Sequence, residues 1–186
     1  MGHMTFRESA LSGLFEITTE AVGDARGSFV RTYCEDEFAP VRSGLHWTQV
    51  NLSRTSGVGT VRGMHFQRPP HAEAKLIRCI RGKVFDVAVD VRMDSPTYLQ
   101  WHAVELTEDN DRMFFIPEGF AHGFQTLSDE AHLLYMHTSS WTPGFEGQLR
   151  FDDPTVAIAW PRPATLVSPR DLAAPLVGQD FTGVSA

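Results

Sequence analysis

The stretch KVFDVAVDVR, residues 83–92, changes character at every step. Phe85, Val87, Val89 and Val91 fall on one side of an extended chain; Val84, Asp86, Ala88, Asp90 and Arg92 fall on the other. Successive side chains of a strand point to opposite faces, so a period of two predicts a β-strand and not a helix. Working outward, LQWHAVEL (residues 99–106), RMFFIP (112–117), HGFQTLS (122–128) and AHLLYMHT (131–138) read the same way. Turn-forming residues separate them at 93–96, 108–111 and 117–119. Strands every ten or so residues, with no helical pattern between, predict an all-β antiparallel sandwich or barrel. Short helical pieces are expected only near residues 35–40 and 169–174. From Asp152 the chain is rich in proline and reads as irregular chain packed on the barrel. Phe114, Phe115, Trp101 and Trp160 are expected in the core.

The totals suit one domain. A chain of 186 residues can bury a single core, and no internal repeat or linker divides it, so residues 4–186 are expected to form one domain. Met1-Gly2-His3 ahead of Met4 reads as a leader left by cloning and is set aside. With 42% hydrophobic and 21% charged residues the composition is that of a soluble globular protein. No apolar run approaches the roughly 18 residues that span a bilayer, and no signal peptide is evident, so a cytoplasmic protein without membrane contact is expected. Cys34 and Cys79 lie far apart and are expected reduced. A net charge of −7 argues against wrapping nucleic acid. A phosphorylated small ligand needs only a few local arginines and is compatible with it.

Chemistry is concentrated in RGMHFQRPPHAEAK, residues 62–75. A metal reading is weak. A histidine-rich β-barrel site wants two converging early ligands, but His65 is followed by Phe66 and Gln67, and His71 and Glu73 follow Pro69-Pro70 on an expected loop. His122 alone does not complete a set. An acid–base reading joins Arg62, His65, Lys75 and Asp86 at a barrel mouth, where an imidazole takes a proton near neutral pH and an ammonium holds charge developing on oxygen. A satisfied interior histidine with a surface lysine is the equal alternative on spacing alone. His46, His102, His132 and His137 sit singly in strand-like runs and read as structural or exposed. Trp141, ahead of a Thr-Pro-Gly turn, is a candidate pocket wall.

Several ordered blocks go further: GDARGSFVRTY, QVNLSR, VRGMHFQ, KLIRCIRGKVFDVAVDVRMDSPTYLQW, IPEGFAHGFQTLSD, LLY and FDDPTVAIAWP. In these the chain resembles the dTDP-4-dehydrorhamnose 3,5-epimerase family, cupin-type jelly rolls that act on nucleotide-linked 4-keto sugars. The resemblance runs over residues 15–161, with an echo near Asp171. It implies a cupin jelly roll that inverts carbon 3, carbon 5 or both of a 4-keto-6-deoxy sugar through an enolate, in a deoxysugar or rhamnose pathway. By that resemblance His65 is the base, Asp171 its orienter, Tyr135 the acid and Lys75 the group that steadies the enolate oxygen. Arg62 and His122 would line the pocket with Asp86 nearby, and Arg26, Gln49, Asn51 and Trp141 would hold the sugar or the nucleotide. No metal or other cofactor is implied. The implied partners are a dTDP-sugar, with CDP and GDP open, and a second copy of the chain in a homodimer. Arg31, Met136 and Ser140 depart from the family pattern, where a glutamate, a lysine and a base-stacking aromatic are common. Those departures keep two alternatives in view: a sugar-nucleotide ketoisomerase, and a binding cupin without turnover.

Overall fold

A computed structural model of the chain describes residues 2–178, 181 and 183–185. The strands in chain order are β1 (Met4–Glu8), β2 (Phe15–Thr19), β3 (Val22–Asp24) and β4 (Gly27–Phe29), then, after the short helix α1 (Glu35–Phe38), β5 (Gln49–Ser56), β6 (Thr60–Gln67) and β7 (Lys75–Arg81). There follow β8 (Lys83–Asp90), β9 (Trp101–Thr107), β10 (Arg112–Ile116), β11 (Phe120–Thr126), β12 (Glu130–His137), β13 (Glu146–Gln148), β14 (Leu166–Val167) and the helix α2 (Pro169–Leu172). One sheet has the order β1-β2-β10-β7-β12-β5. A second has the order β13-β6-β11-β8-β9, with β14 also on β6, and β3–β4 forms a separate hairpin. The crossing order of sequence-distant strands in two sheets is the jelly-roll arrangement expected.

The opening stretch forms β8, and its alternation is real on both sides. Val84 and Ala88 join Leu14, Ile77, Leu106, Phe114 and Leu133 in one core, while Val87, Val89 and Val91 join Met64, Leu149, Val156 and Phe181 in another. Both faces are therefore covered, the second by chain that follows β13. That is the expected packing of the proline-rich C-terminal part, with a difference: it is not all irregular. Leu166 and Val167 pair in parallel with Thr60 and Val61. Two residues are too few to show a period. α1 and α2 lie where short helices were expected, and Phe114 and Phe115 are both buried, in different cores.

One irregularity positions the site. On β11 His122 and Phe124 are two positions apart, but their partners on β6, His65 and Arg62, are three apart. The extra residue is a bulge, and it resets the alternation so that Arg62 and His65 share a face. Gly63 makes it possible, with φ +132° and a backbone so close to β11 that a Cβ would stand 2.5 Å from Gly123 Cα.

Candidate active site at the mouth of the barrel

A cavity of about 630 Å3 opens between the two sheets. The second sheet contributes Arg62, His65, His122 and Phe124, and the first contributes Asn51, Ser53, Lys75, Tyr135 and His137. The segment 166–171 closes one side.

His65 stands on the bulged strand with its side chain 41% exposed, open to a ligand. Its Nε2 lies 2.7 Å from Asp171 Oδ1. The parallel pairing of β14 carries α2 to this point, and Ser168 caps the helix by accepting from the Asp171 N–H at 3.1 Å. Gly63 N–H donates to the second oxygen, Asp171 Oδ2, at 3.3 Å. Burial opposes the charge on Asp171, but the hydrogen bond and charge of His65, with the Gly63 N–H and the Ser168 side chain, hold its carboxyl below the ordinary value. An ionised Asp171 accepts from Nε2–H, which leaves Nδ1 as the ring nitrogen with the lone pair.

Tyr135 projects from the opposite sheet, with His122 edge-on at 5.8 Å and His137 stacked at 5.9 Å. Burial pushes its phenol well above 10, Asp86 adds to the rise and Arg62 opposes it, so the group keeps its proton at neutral pH. Lys75 is buried, with Nζ 3.3 Å from the His65 carbonyl oxygen and 3.2 Å from Glu73 Oε1. Behind the wall His122 Nε2 meets Asp86 Oδ1 at 2.8 Å, both side chains buried. Burial raises the Asp86 carboxyl and lowers the His122 imidazole, each against the pull of the other, and both directions favour the neutral pair. Asp86 Oδ2 has no hydrogen-bond partner, a situation a neutral carboxyl tolerates better than a charged one.

Of the residues expected at a site, His65, Lys75, Tyr135, Asp171, Arg62, Asn51 and His122 do line this cavity. Arg62 is braced by its Nε–H donating to Thr55 Oγ1 at 3.0 Å. Asp86 sits one layer back and reaches the cavity only through His122. Trp141 is 57% exposed and walls a smaller neighbouring cavity of about 270 Å3 together with His65, Gln67, Glu73 and Glu146. Gln49 lines neither cavity; its Oε1 accepts from the Trp141 N–H at 3.3 Å. Arg26 lines neither as well. It lies in the turn of the β3–β4 hairpin, paired with Asp24 at 2.5 Å, on a fully exposed two-stranded sheet that the two main sheets do not hold against the mouth.

Two residues went unrecognised. His137, expected to be structural or exposed, lines the cavity, and Glu73 pairs with it at 3.3 Å. The signal was present as a period of two: His137 follows Tyr135, and Glu73 precedes Lys75, each by two residues. His71 packs instead on the Phe145 ring at 4.4 Å, and among the described residues no three His, Cys, Asp or Glu side chains gather as metal ligands.

Comparison with known proteins accords with this geometry. A family model described as dTDP-4-dehydrorhamnose 3,5-epimerase matches residues 8–179. A curated enzyme of that name from Salmonella typhimurium is 41% identical over 174 residues, 92% of this chain and 94% of the relative. Among solved structures, NovW, a 4-keto-6-deoxy sugar epimerase from the novobiocin cluster of Streptomyces spheroides, superposes with TM-score 0.89 at 42% identity, covering 94% of this chain and 87% of that one. RmlC of Legionella pneumophila, solved in complex with dTDP-4-keto-L-rhamnose, gives TM-score 0.90 at 37% identity, covering 96% and 95%. A jelly roll of this kind with such relatives is a cupin-type sugar epimerase, an isomerase. Its place within that class is definite: the chain belongs to the dTDP-4-dehydrorhamnose 3,5-epimerase family.

Proposed function

We propose that the chain epimerises a dTDP-linked 4-keto-6-deoxyhexose at carbon 3, carbon 5 or both, with His65 as base and Tyr135 as acid. The observation that carries this reading is the placement of the two groups. The imidazole comes from one sheet and the phenol from the other, and both line one cavity. A carbon beside a ketone loses a proton because the charge moves to the carbonyl oxygen. Nδ1 of His65 takes that proton while Asp171 steadies the imidazolium. Lys75 meets the enolate oxygen, and Tyr135 returns a proton to the opposite face, which inverts the carbon. Protons alone balance the reaction. Arg62, Asn51 and His122 orient the sugar; Gln49 supports Trp141 at the adjoining cavity. The dTDP preference follows the ligand bound to the Legionella relative.

Residues 4–186 act as one domain in this reading, in the cytoplasm, as a homodimer. Val22 and Phe29 support the dimer, since the hairpin leaves them 49% and 62% exposed. Sedimentation returns the mass of two chains, and a monomer at working concentration contradicts the pairing. For the activity, dTDP-, CDP- and GDP-linked 4-keto sugars are incubated with the protein in D2O. Exchange and inversion at carbon 3 or 5 of the dTDP sugar is expected. Binding without exchange makes the chain a sugar-nucleotide-binding cupin instead.

A further inference from the structure

Glu73 and His137 have no part in the reaction as described, yet both touch groups that do. Glu73 lies in the connection two residues ahead of β7, and β12 sets His137 directly beside Lys75 across the ladder. The carboxylate of Glu73 divides its oxygens. Oε1 lies 3.2 Å from Lys75 Nζ, while Oε2 lies 3.3 Å from His137 Nδ1 and 3.0 Å from Gln67 Nε2. Burial raises this carboxyl, but the His137 hydrogen bond and the Lys75 charge outweigh it and bring it down to about 2, so a full negative charge stands there at neutral pH. On its far side His137 Nε2 is 3.4 Å from Asn51 Nδ2. An amide nitrogen only donates, so Nε2 accepts and the ring proton sits on Nδ1, aimed at Glu73. The result is one directed chain: Asn51 donates to His137, His137 to Glu73, and Lys75 to Glu73 from the other end.

Resting on the epimerase reading above, we infer that Glu73 is a positioning residue, fixing the Lys75 ammonium at the cavity wall and the His137 ring against Tyr135. A lysine side chain left free spreads over many rotamers, and a cation must already be in place when the enolate forms. Lys75 has three N–H donors. One goes to Glu73, one to the His65 carbonyl at 3.3 Å, and the third remains for the substrate oxygen. The same carboxylate sets the tautomer of His137, whose ring stacks on Tyr135 at an interplanar angle of 21°.

Glu73→Gln tests this, because it keeps the side chain's shape and its contact with Gln67 while removing the charge. Loss of the sugar's carbon-bound proton to D2O is followed. The expected result is a fall in kcat of about tenfold or more with KM held within about twofold, the pattern of an interaction made in the transition state. In a Lys75→Met background the same substitution costs several-fold less than in the unchanged chain, because the part that acts through the ammonium is already lost. Should Glu73→Gln fail to fold, Glu73→Asp replaces it; drawing the carboxylate back by one methylene lowers kcat and leaves KM. Unchanged kcat in the folded variant, a loss confined to KM, or a full additional loss on top of Lys75→Met overturns the inference. An unchanged chain that exchanges no proton removes the epimerase reading, and this one with it.

Discussion

In the proposed reaction His65 removes a proton from carbon, and Asp171 holds its other ring nitrogen. The 2.7 Å contact places His65 in one tautomer, and the capped helix α2 holds the carboxylate there. Asp171→Asn keeps the shape and loses the charge, so exchange of the sugar proton is expected to slow by roughly 10^2- to 10^4-fold with the fold intact by circular dichroism. A loss below about threefold contradicts the orienting role. At this scale the sequence was readable where a motif held the residue. His65 and Lys75 lie in one 14-residue stretch and share the cavity, whereas Asp171 stands 106 positions from its histidine and came only through the family resemblance. His137 was marked only by standing two residues after Tyr135, and nothing in the sequence shows the carboxylate that folding brings beside it.

Strand alternation carried the element scale, and it failed at one point with a physical cause. Arg62 and His65 should face opposite ways by period, and the bulge at Gly63 turns them together. No residue type announces a bulge, although a glycine inside a strand is a hint. Gly63→Ala forces a Cβ against Gly123 Cα in a backbone conformation with φ +132°. It is expected to destabilise the chain by at least about 2 kcal/mol in chemical denaturation, since neither strand can yield without losing its ladder. Stability within about 0.5 kcal/mol of the unchanged chain contradicts the bulge. The hairpin β3–β4 and the two-residue β14 had no sequence signal for a similar reason: each is too short for a period to show.

For the whole molecule, the buried charges set the response to pH. Glu73 lies at about 2 in the folded chain against an ordinary 4.5, so the unfolded chain takes up the proton first. Its stabilising contribution is therefore complete above about pH 5 and fades as the pH falls toward 2, with an upper size of about 3 kcal/mol. The stability gap between the unchanged chain and Glu73→Gln should narrow over that interval and stay flat from pH 6 to 8; a gap that widens on acidification contradicts the buried ion pair. In the proposed reaction a proton leaves one face of the sugar and another arrives on the opposite face. Tyr135→Phe in D2O reads this most directly. With the phenol gone, His65 still removes the proton and can only return a deuteron to the same side, so the account predicts deuterium in the recovered sugar with its configuration retained. Inversion continuing at the unchanged rate, or no deuterium entering at all, would contradict it.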